Sequence, residues 1–370
     1  MKLPKITIYD RYIFKQVLLT SFVAILLFTV VWIAPEMLLN TIKKVLEGQY
    51  TIKMGIMVLS CQLPLILGKG FPVGLLLGSL FTFDTLSKNS ELTIFRAVGL
   101  SFQRIVAPIV VLSLIVTALC FVTYDKLIPY SSQKLAEMEC SNPVSQYIYT
   151  KKDANDRPVM SVIVSRYDNF VMNDVILLDF SSKIYDDVHG ISKIYVAKTG
   201  IRKANKWILN DVIVYNITQE GVFKRIDHRK SMDILHGKIA DDLYVLMQNA
   251  NKKDREITNK DLHRYLILLK EQKMEEQYHL MLNKYYQRFF HPLVCMLFAV
   301  MGCLLGFSKP REQRLIGFTI AIGAIFLYYI TLPFFDLLAE KGVLYPVVAA
   351  STPIVAFIIA IITFYKSKEL

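Results

Sequence analysis

The chain is 370 residues long, 54% of its residues are hydrophobic, and its mean hydropathy is +0.39. This composition excludes an ordinary soluble protein, because too few polar residues remain to cover a folded surface that water can solvate. The formal net charge of +12 does not indicate a nucleic-acid-binding protein, since no basic face with interleaved aromatic residues occurs outside the apolar segments.

Six apolar stretches are long enough to cross a bilayer, which takes about 20 residues at 1.5 Å per residue. They cover residues 17–39, 55–83, 105–124, 289–308, 315–335 and 342–365. The first is full length and runs on into Pro35 and Glu36, so we expect it to stay in the mature chain rather than to be cleaved as a signal peptide. The pattern predicts a polytopic α-helical membrane protein with three spans on each side of a long central segment.

Basic residues in the short loops predict how the spans are oriented, since Lys and Arg collect on the cytoplasmic side of a membrane. The two termini and the loops after the second and fourth spans together hold twelve Lys and Arg, whereas the short loops of the opposite side hold four. We therefore expect both termini to be cytoplasmic and the central segment to lie outside.

The cytoplasmic loop after the second span has the pattern of a short helix. Ser90 is placed as an N-cap, and Glu91 follows at the positive end of the helix dipole. Leu92, Phe95 and Val98 form an apolar stripe that is too short to span a membrane. Such a helix either lies on the lipid surface or docks into a partner, and periodicity alone leaves both alternatives open.

Two lysines, Lys43 and Lys44, follow the first span at its outer end. At this position lysines often extend towards the headgroups while their stems stay in apolar surroundings. That structural role is one alternative, and contact with an anionic ligand is the other.

Lys69 lies within the second apolar stretch. Counting 15 residues back from Asp84 at the inner edge places it about 22 Å into the membrane. A charge at this depth is costly unless it faces a cavity or a partner, so Lys69 is a candidate functional residue. Pro64 and Pro72 lie on either side of it, and they predict a broken or kinked span.

The central segment changes from helical to strand periodicity. Residues 159–164, 175–180, 193–198 and 207–217 alternate or are rich in β-branched and aromatic residues, with Asn, Asp and Gly clusters between them. This pattern predicts an antiparallel β domain, either a sandwich or an open roll.

Two helices are predicted after the strands. Four apolar residues recur at the helical spacing i, i+3, i+4 and i+7, namely Leu262, Tyr265, Leu266 and Leu269. A second helix starting near Gln277 should lead straight into the fourth span. The expected domains are therefore a first membrane half over residues 1–128, a β domain over 129–258, and a helical stalk with the second membrane half over 259–370.

Motifs for catalysis and metal binding are missing from the sequence. The patterns G-x-x-x-x-G-K-[ST], H-E-x-x-H and G-x-S-x-G do not occur. Four of the five cysteines fall in apolar spans, which leaves Cys140 alone in the exported domain, and the six histidines show no metal-ligand spacing. We therefore expect no enzymatic activity, no bound metal and no cofactor on this chain. If ATP is used, another chain must hydrolyse it.

Several segments resemble a known family. The segments are residues 10–13, 40–48, 90–101, 278–288, 290–293 and 306–311, followed by Gly317. Together they resemble the lipopolysaccharide-export permeases LptF and LptG over nearly the whole chain. Residues 10–13, the pair Lys43 and Lys44, and residues 206–209 and 262–266 are closer to LptG. Residues 351–354 depart from the family, which often has a Trp-x-Pro-Asn motif there.

The resemblance implies a multi-pass protein of the bacterial inner membrane with an inserted periplasmic β-jellyroll-like domain. It also implies a heterodimer with the paralogous permease, a cytoplasmic LptB ATPase dimer that binds ATP and Mg, and the periplasmic bridge proteins LptC and LptA. Lipopolysaccharide would be the substrate, with Lys43, Lys44 and Lys69 as candidate contacts for its phosphates. The ATPase-coupling helix would comprise Ser90, Glu91, Leu92, Phe95, Arg96 and Gly99.

Specific contacts follow from this hypothesis. We expect Leu92 and Phe95 to enter a groove of the ATPase and Glu91 to pair with a cation at its rim. We also expect the β domain to have an elongated apolar interior, open at one edge, for acyl chains. The alternatives are a mechanotransmitting ABC permease and a membrane-tethered sensor. The first needs no lysines in the outer leaflet, and the second needs no coupling helix.

Overall fold

The computed structural model describes residues 7–33, 37–138, 147–152, 157–168, 171–180, 191–203, 206–217, 223–250, 254–307 and 315–367. The chain divides into two compact units. The membrane unit comprises Met1–Glu139 and His279–Leu370, and the β unit comprises Cys140–Tyr278. Each unit is described separately below.

The described part of the membrane unit is helical. Its helices are α1 (Ile8–Ile33), α2 (Leu39–Leu46), α3 (Ile52–Lys88), α4 (Glu91–Ala97), α5 (Phe102–Val122), α6 (Ile128–Met138), α9 (Glu275–Gly306), α10 (Leu315–Glu340) and α11 (Pro346–Ser367). Six of the described helical segments are long and apolar enough to cross a membrane. They overlap the six predicted stretches, and the prediction of a polytopic helical membrane protein is confirmed. The first described helix begins at Ile8 rather than at residue 17, and residues 34–36 of the predicted stretch lie outside the described residues.

Helix α3 lies at the centre of the membrane unit, and glycines let its neighbours approach closely. A Cβ atom at Gly78 would lie 2.5 Å from the Cα atom of Ser21 in α1, and one at Gly302 in α9 would lie 2.3 Å from the carbonyl oxygen of Leu76. Close backbone approach through small residues is how spans associate where no hydrophobic force between them exists. A hydrogen bond from Thr20 Oγ1 to the Gly78 carbonyl oxygen, 3.0 Å long, strengthens the same contact.

The β unit contains one antiparallel sheet of six described strands in sequential order. The strands are β1 (Tyr147–Lys152), β2 (Pro158–Asp168), β3 (Val171–Asp179), β4 (Lys193–Lys203), β5 (Lys206–Ile217) and β6 (Phe223–His236). The predicted antiparallel β domain is confirmed. Its order is that of a meander, whereas a jelly roll combines two Greek keys. Of the two predicted arrangements, a single sheet corresponds to the open roll and not to the sandwich.

One face of the sheet forms the core of the β unit. Val162, Leu177 and Leu209 are fully buried there, and helix α7 (Gly237–Ala250) packs against the same face. The indole nitrogen of Trp207 donates a 3.0 Å hydrogen bond to the carbonyl of Ala240 and so fixes α7 on the sheet. At the rim, burial and the nearby Asp242 carboxylate raise the pKa of the Tyr149 hydroxyl.

Helix α8 (Asn259–Glu271) confirms the amphipathic helix predicted from the sequence. Its N-cap is Thr258, whose side chain accepts a hydrogen bond from the backbone of Asp261, and Leu262, Tyr265, Leu266 and Leu269 are all buried. Helix α9 begins at Glu275 and continues without interruption through the fourth span, as expected.

Candidate functional site

Helix α4 has well-defined ends, as its sequence predicts. Ser90 occupies the N-cap position at φ = 60°, although its side chain makes no capping hydrogen bond. Gly99 follows the helix at φ = 89°. The Gly99 and Leu100 amides donate to the carbonyls of Arg96 and Phe95 at 2.9 and 3.1 Å, which is a Schellman motif. The prediction that Gly99 ends this helix is confirmed.

The inner face of α4 packs against the membrane unit itself. Leu92 is only 3% exposed, and the Phe95 ring is edge-on to the Tyr9 ring with centroids 4.7 Å apart. Leu92 is therefore buried within this chain, whereas entry of the partly exposed Phe95 into a groove of the partner stays a prediction. The helical period explains the result, since residues three apart share one face.

Polar contacts also join α4 to its surroundings. The two carboxylate oxygens of Glu91 accept 3.1 Å hydrogen bonds, one from Asn89 and one from the Tyr12 hydroxyl of α1. The Arg96 guanidinium lies 5.5 Å from the ring centroid of Phe307, just after α9. These contacts hold α4 against the start of α1 and the end of α9. Pairing of Glu91 with a cation of a partner stays a prediction.

The outer face of α4 exposes apolar residues. Ile94 is 59% exposed and Val98 is 78% exposed, and the spacing of four residues places them side by side on the helix. The stripe predicted from the sequence contained Val98 together with Leu92 and did not include Ile94. The i, i+4 spacing of Ile94 and Val98 was the available signal for a second apolar face.

An ion pair supports the base of α4. Arg104, in the first turn of α5, lies 2.7 Å from the Asp10 carboxylate in the first turn of α1. Asp10 also accepts hydrogen bonds from the backbone and hydroxyl of Thr7. The starts of α1 and α5 are thus joined beside α4. The contacts of α4 with Tyr9 and Tyr12 are therefore made to a part of α1 that is itself joined to α5.

Lys43 and Lys44 are adjacent in α2 but have different surroundings. The side chain of Lys43 is 75% exposed, with its ammonium 4.0 Å from Glu47. The Lys44 ammonium donates a 3.0 Å hydrogen bond to the Tyr50 hydroxyl and lies 4.9 Å from the centroid of the same ring. Lys43 is therefore the more accessible cation for an anionic ligand.

Lys69 lies in a part of α3 whose helical hydrogen bonding is interrupted. Helix α3 runs through Pro64 and Pro72 without a break. Of the two predicted alternatives, a broken span is not found, and a kink at the prolines stays a prediction. Because Pro72 has no amide hydrogen, the Gly68 carbonyl loses its partner four residues ahead. The Cys120 thiol of α5 donates to that carbonyl at 3.8 Å. A neighbouring span thus supplies a substitute for the missing bond.

The three candidate lysines do not form one cluster. A Cβ at Gly55 would be 3.2 Å from Val45, which places α2 beside the start of α3. Lys69 is 14 residues further along α3, about 21 Å at 1.5 Å per residue. Lys43 and Lys44 therefore lie at one level along the axis of α3, and Lys69 lies at another. One phosphate group cannot contact both levels.

An apolar groove of about 450 Å³ lies between α1 and α3. Its lining includes Leu19, Val23, Leu27, Phe28, Val31 and Phe81. A Cβ at Gly70 would lie 3.2 Å from the ring of Phe28, so the groove reaches the α3 segment that carries Lys69. An apolar groove with a cation on the adjoining turn suits a lipid with a phosphorylated headgroup.

A polar cluster between α9 and α10 was missed by the sequence analysis. The Asp336 carboxylate accepts hydrogen bonds from Asn283, Lys284 and Gln287. Asn283 is fully buried. Asp336 directly follows the predicted fifth span, where a charged residue is common and gives no signal of a special role. Only the fold shows that three hydrogen-bond donors of α9 surround it.

The face of the sheet that α7 does not cover is also apolar. Ile163, Ile176, Val196 and Ile213 are cross-strand neighbours on this face, and all are partly exposed. Among the described residues, the opposite face is a packed core, so the expected apolar interior open at one edge is not found there. The partly exposed face is the apolar surface that the described β unit presents.

A pocket of about 650 Å³ opens on this second face. Its floor includes Ile176, Val196 and Ile213, and its polar lining consists of His228 and the charged residues Asp174, Lys198, Asp211, Arg229 and Lys230. Asp174 and Asp211 have φ values of 50° and 52°, a left-handed conformation that Asp tolerates better than most residues. The pocket combines an apolar floor with basic groups.

Comparison with known proteins identifies the family. The profile of the family described as lipopolysaccharide export system permease LptF/LptG matches residues 11–367. No curated protein matches the chain. The match spans both membrane halves and the β unit between them, in agreement with the resemblance carried by the short motifs. The chain therefore belongs to the LptF/LptG family of lipopolysaccharide export permeases.

Proposed function

We propose that this chain is the LptG-like permease subunit of an ABC-type lipopolysaccharide exporter in the bacterial inner membrane. It would pair with the paralogous permease LptF, take lipopolysaccharide from the membrane and pass it to the periplasmic bridge proteins LptC and LptA. Family membership over residues 11–367 supports the substrate class. The distribution of basic residues supports cytoplasmic termini and a periplasmic β unit.

In this proposal the chain itself is not catalytic. Its motifs offer no phosphate-binding loop, so ATP and Mg would bind to a separate cytoplasmic LptB dimer. Closure of that dimer would move α4, and the contacts of Leu92, Phe95 and Glu91 would carry the movement to α1 and neighbouring spans. The single observation that carries the coupling proposal is the exposed apolar pair Ile94 and Val98 on a helix whose other face is fixed.

Replacement of both residues, Ile94→Asp with Val98→Asp, should release the ATPase while the six spans remain inserted. The substitutions place two carboxylates where two apolar side chains would be buried against the ATPase, and burial of these charges is unfavourable. Apolar anchor residues at the core of an interface typically contribute a few kcal/mol to binding. The measurement is co-purification of the ATPase with the permease complex, together with its ATP hydrolysis rate.

Ile267→Asp is the matched control, because Ile267 is 50% exposed and lies in α8 of the β unit. It should leave ATPase binding unchanged. Normal co-purification of the double variant would mean that α4 lies on the lipid surface and does not bind the ATPase.

The lipid would contact this chain at two levels of the membrane unit. The apolar groove between α1 and α3 would hold acyl chains, and Lys69 would meet a phosphate at the adjoining turn. Lys43 and Lys44 would contact the headgroup further out. In the β unit, the second face of the sheet, with its apolar floor and basic groups, would shield acyl chains from water during onward transfer.

A further inference from the structure

A polar cluster surrounds the Lys69 segment, and neither family membership nor the proposed function assigns it a role. It consists of His291 in α9 and Tyr328 and Tyr329 in α10. His291 is 8% exposed and Tyr328 is 2% exposed. Buried polar groups within a membrane domain are costly, so their presence at one point of three spans calls for a physical reason.

The contacts of this cluster converge on two consecutive peptide groups of α3. The Tyr329 hydroxyl donates a 2.6 Å hydrogen bond to the carbonyl of Lys69 itself. The His291 ring lies near the preceding carbonyl, that of Gly68, but its Nε2 makes no hydrogen bond within the described residues. The Gly68 carbonyl is the one that Pro72 deprives of its helical donor.

His291 is in turn held in place by its neighbours. Its Nδ1 lies 2.5 Å from the Tyr328 hydroxyl, and its ring is edge-on to the ring of Tyr124 with centroids 5.0 Å apart. A hydrogen bond at one ring nitrogen fixes which way the imidazole faces. The Tyr328 contact thereby fixes the orientation of the His291 ring.

The Lys69 side chain is close enough to His291 for the two to interact electrostatically. The lysine and the groups that hold its backbone therefore form one local assembly at a single depth. A proline-interrupted helix is free to bend at the freed carbonyl unless neighbours hold it. Bending there would redirect the Lys69 side chain.

We propose that His291 and Tyr329 are positioning residues that hold α3 at its proline interruption and so direct the Lys69 ammonium at the phosphate of the bound lipid. Tyr328 supports His291 in this role. The inference rests on the proposed function of Lys69 as a phosphate contact. It adds that the direction of this cation is set by α9 and α10 and not by α3 alone.

The test uses the purified complex of this chain with its co-purifying permease and ATPase, reconstituted in nanodiscs and titrated with purified lipopolysaccharide. The half-saturating lipid concentration and the maximal rate of lipid-stimulated ATP hydrolysis are measured separately. Lys69→Ala should raise the half-saturating concentration on the order of tenfold, as expected for loss of one charge-assisted contact. Tyr329→Phe should raise it by about threefold, with the maximal rate unchanged.

A double-mutant cycle decides whether the tyrosine acts through the lysine. Lys69→Ala combined with Tyr329→Phe should bind lipid no more weakly than Lys69→Ala alone. Additive effects would overturn the positioning role while leaving Lys69 as a lipid contact. If Lys69→Ala leaves the half-saturating lipid concentration unchanged, Lys69 is not a lipid contact, and the positioning role of Tyr329 is overturned as well. Lipid-stimulated ATP hydrolysis by that variant would still support the proposed permease function.

Two further variants separate positioning from general stability. His291→Gln keeps a donor at the end of the side chain and should retain near-normal half-saturation, whereas His291→Leu should resemble Tyr329→Phe. Tyr345→Phe, at a tyrosine that is 68% exposed, is the matched control and should change nothing. Equal effects of His291→Gln and His291→Leu, or of Tyr329→Phe and Tyr345→Phe, would contradict the proposal.

Discussion

At the scale of single residues, the membrane unit depends on a few positions where no side chain can be accommodated. Gly78 is the clearest, because a Cβ there would meet backbone atoms of Ser21, at 2.5 Å from Cα and 2.6 Å from the amide nitrogen. Backbone cannot move aside as a flexible side chain can. The α1 to α3 contact therefore requires glycine at this residue.

Gly78→Ala should lower the thermal stability of the purified complex or prevent its assembly. The added methyl group must push α1 and α3 apart, and overpacking of this kind typically costs about 1–3 kcal/mol. Gly323→Ala in α10 is the control, since nothing lies within 4 Å of the Cβ position there. Thermal unfolding in detergent compares the two variants, and equal transition temperatures would contradict the packing argument.

The charge of Lys43 should matter for the lipid and not for the fold. Lys43→Glu with Lys44→Glu should reduce lipopolysaccharide export by about tenfold or more, because two cations near phosphate become anions and a charge-assisted contact contributes about 1.5–3 kcal/mol. Export to a periplasmic acceptor is measured in proteoliposomes. Insertion should persist, since the inner side keeps its large excess of basic residues.

Lys53→Glu is the control for this prediction. Lys53 is an exposed lysine of α3 on the same expected side of the membrane. Its replacement should reduce export less than the double replacement does. Unchanged export by the Lys43→Glu, Lys44→Glu variant would show that the two lysines only anchor α2 at the membrane surface.

At the scale of elements, α4 has two apolar faces with different roles. Leu92 and Phe95 fix the helix to the membrane unit, and Ile94 and Val98 remain exposed. A helix that was free on both faces could move without moving the spans. Attachment on one face and exposure on the other is what a coupling element needs.

Leu92→Ala should therefore destabilise the membrane unit, whereas Ile94→Ala should not. Removing a buried leucine side chain costs about 2–5 kcal/mol, and the lower end applies to a short surface helix. The midpoint of thermal unfolding in detergent should fall for Leu92→Ala only. If Ile94→Ala lowers the midpoint equally, the assignment of the inner and outer faces of α4 is incorrect.

At the scale of the whole molecule, two units of different physical character share one chain. The membrane unit has six helices that are long and apolar enough to lie in the lipid bilayer. The β unit presents an apolar sheet face with a pocket that contains basic residues. An amphiphile with acyl chains and phosphates needs both kinds of surface if it is to leave the membrane. The family match spans both units, which is consistent with one lipid substrate for the entire chain.

Photocrosslinking amino acids at Ile176, Val196 and Ile213 should capture lipopolysaccharide when ATP is supplied to the complete complex. These residues form the apolar floor of the pocket on the second face. The same amino acid at Lys203, an exposed residue at the end of β4, is the control and should give no adduct. Equal labelling at all four positions, or labelling at none in an active complex, would argue against this face as the lipid-bearing surface.

Local sequence was sufficient to predict the six spans from the length of their apolar stretches, the β domain and helix α8 from periodicity, and the ends of α4 from its terminal residues. These features depend on residues that are close in sequence, such as Ser90 and Gly99 at the two ends of α4. The meander order agrees with hairpin spacing between successive strands. Two of its strands, β1 and β6, were not predicted, because their alternation is interrupted by charged residues.

Tertiary structure decided what periodicity left open, namely which face of each element is covered. Leu92 and Ile94 are both apolar residues of one short helix, and only the position of Tyr9 shows which face is buried. Pro64 and Pro72 predicted a broken or kinked span, but helix α3 continues through both prolines, and the Cys120 thiol of another span donates to the carbonyl that Pro72 leaves without its helical donor. Such outcomes depend on contacts between residues far apart in sequence, where steric fit and hydrogen-bond geometry, and not local pattern, determine which arrangement is stable.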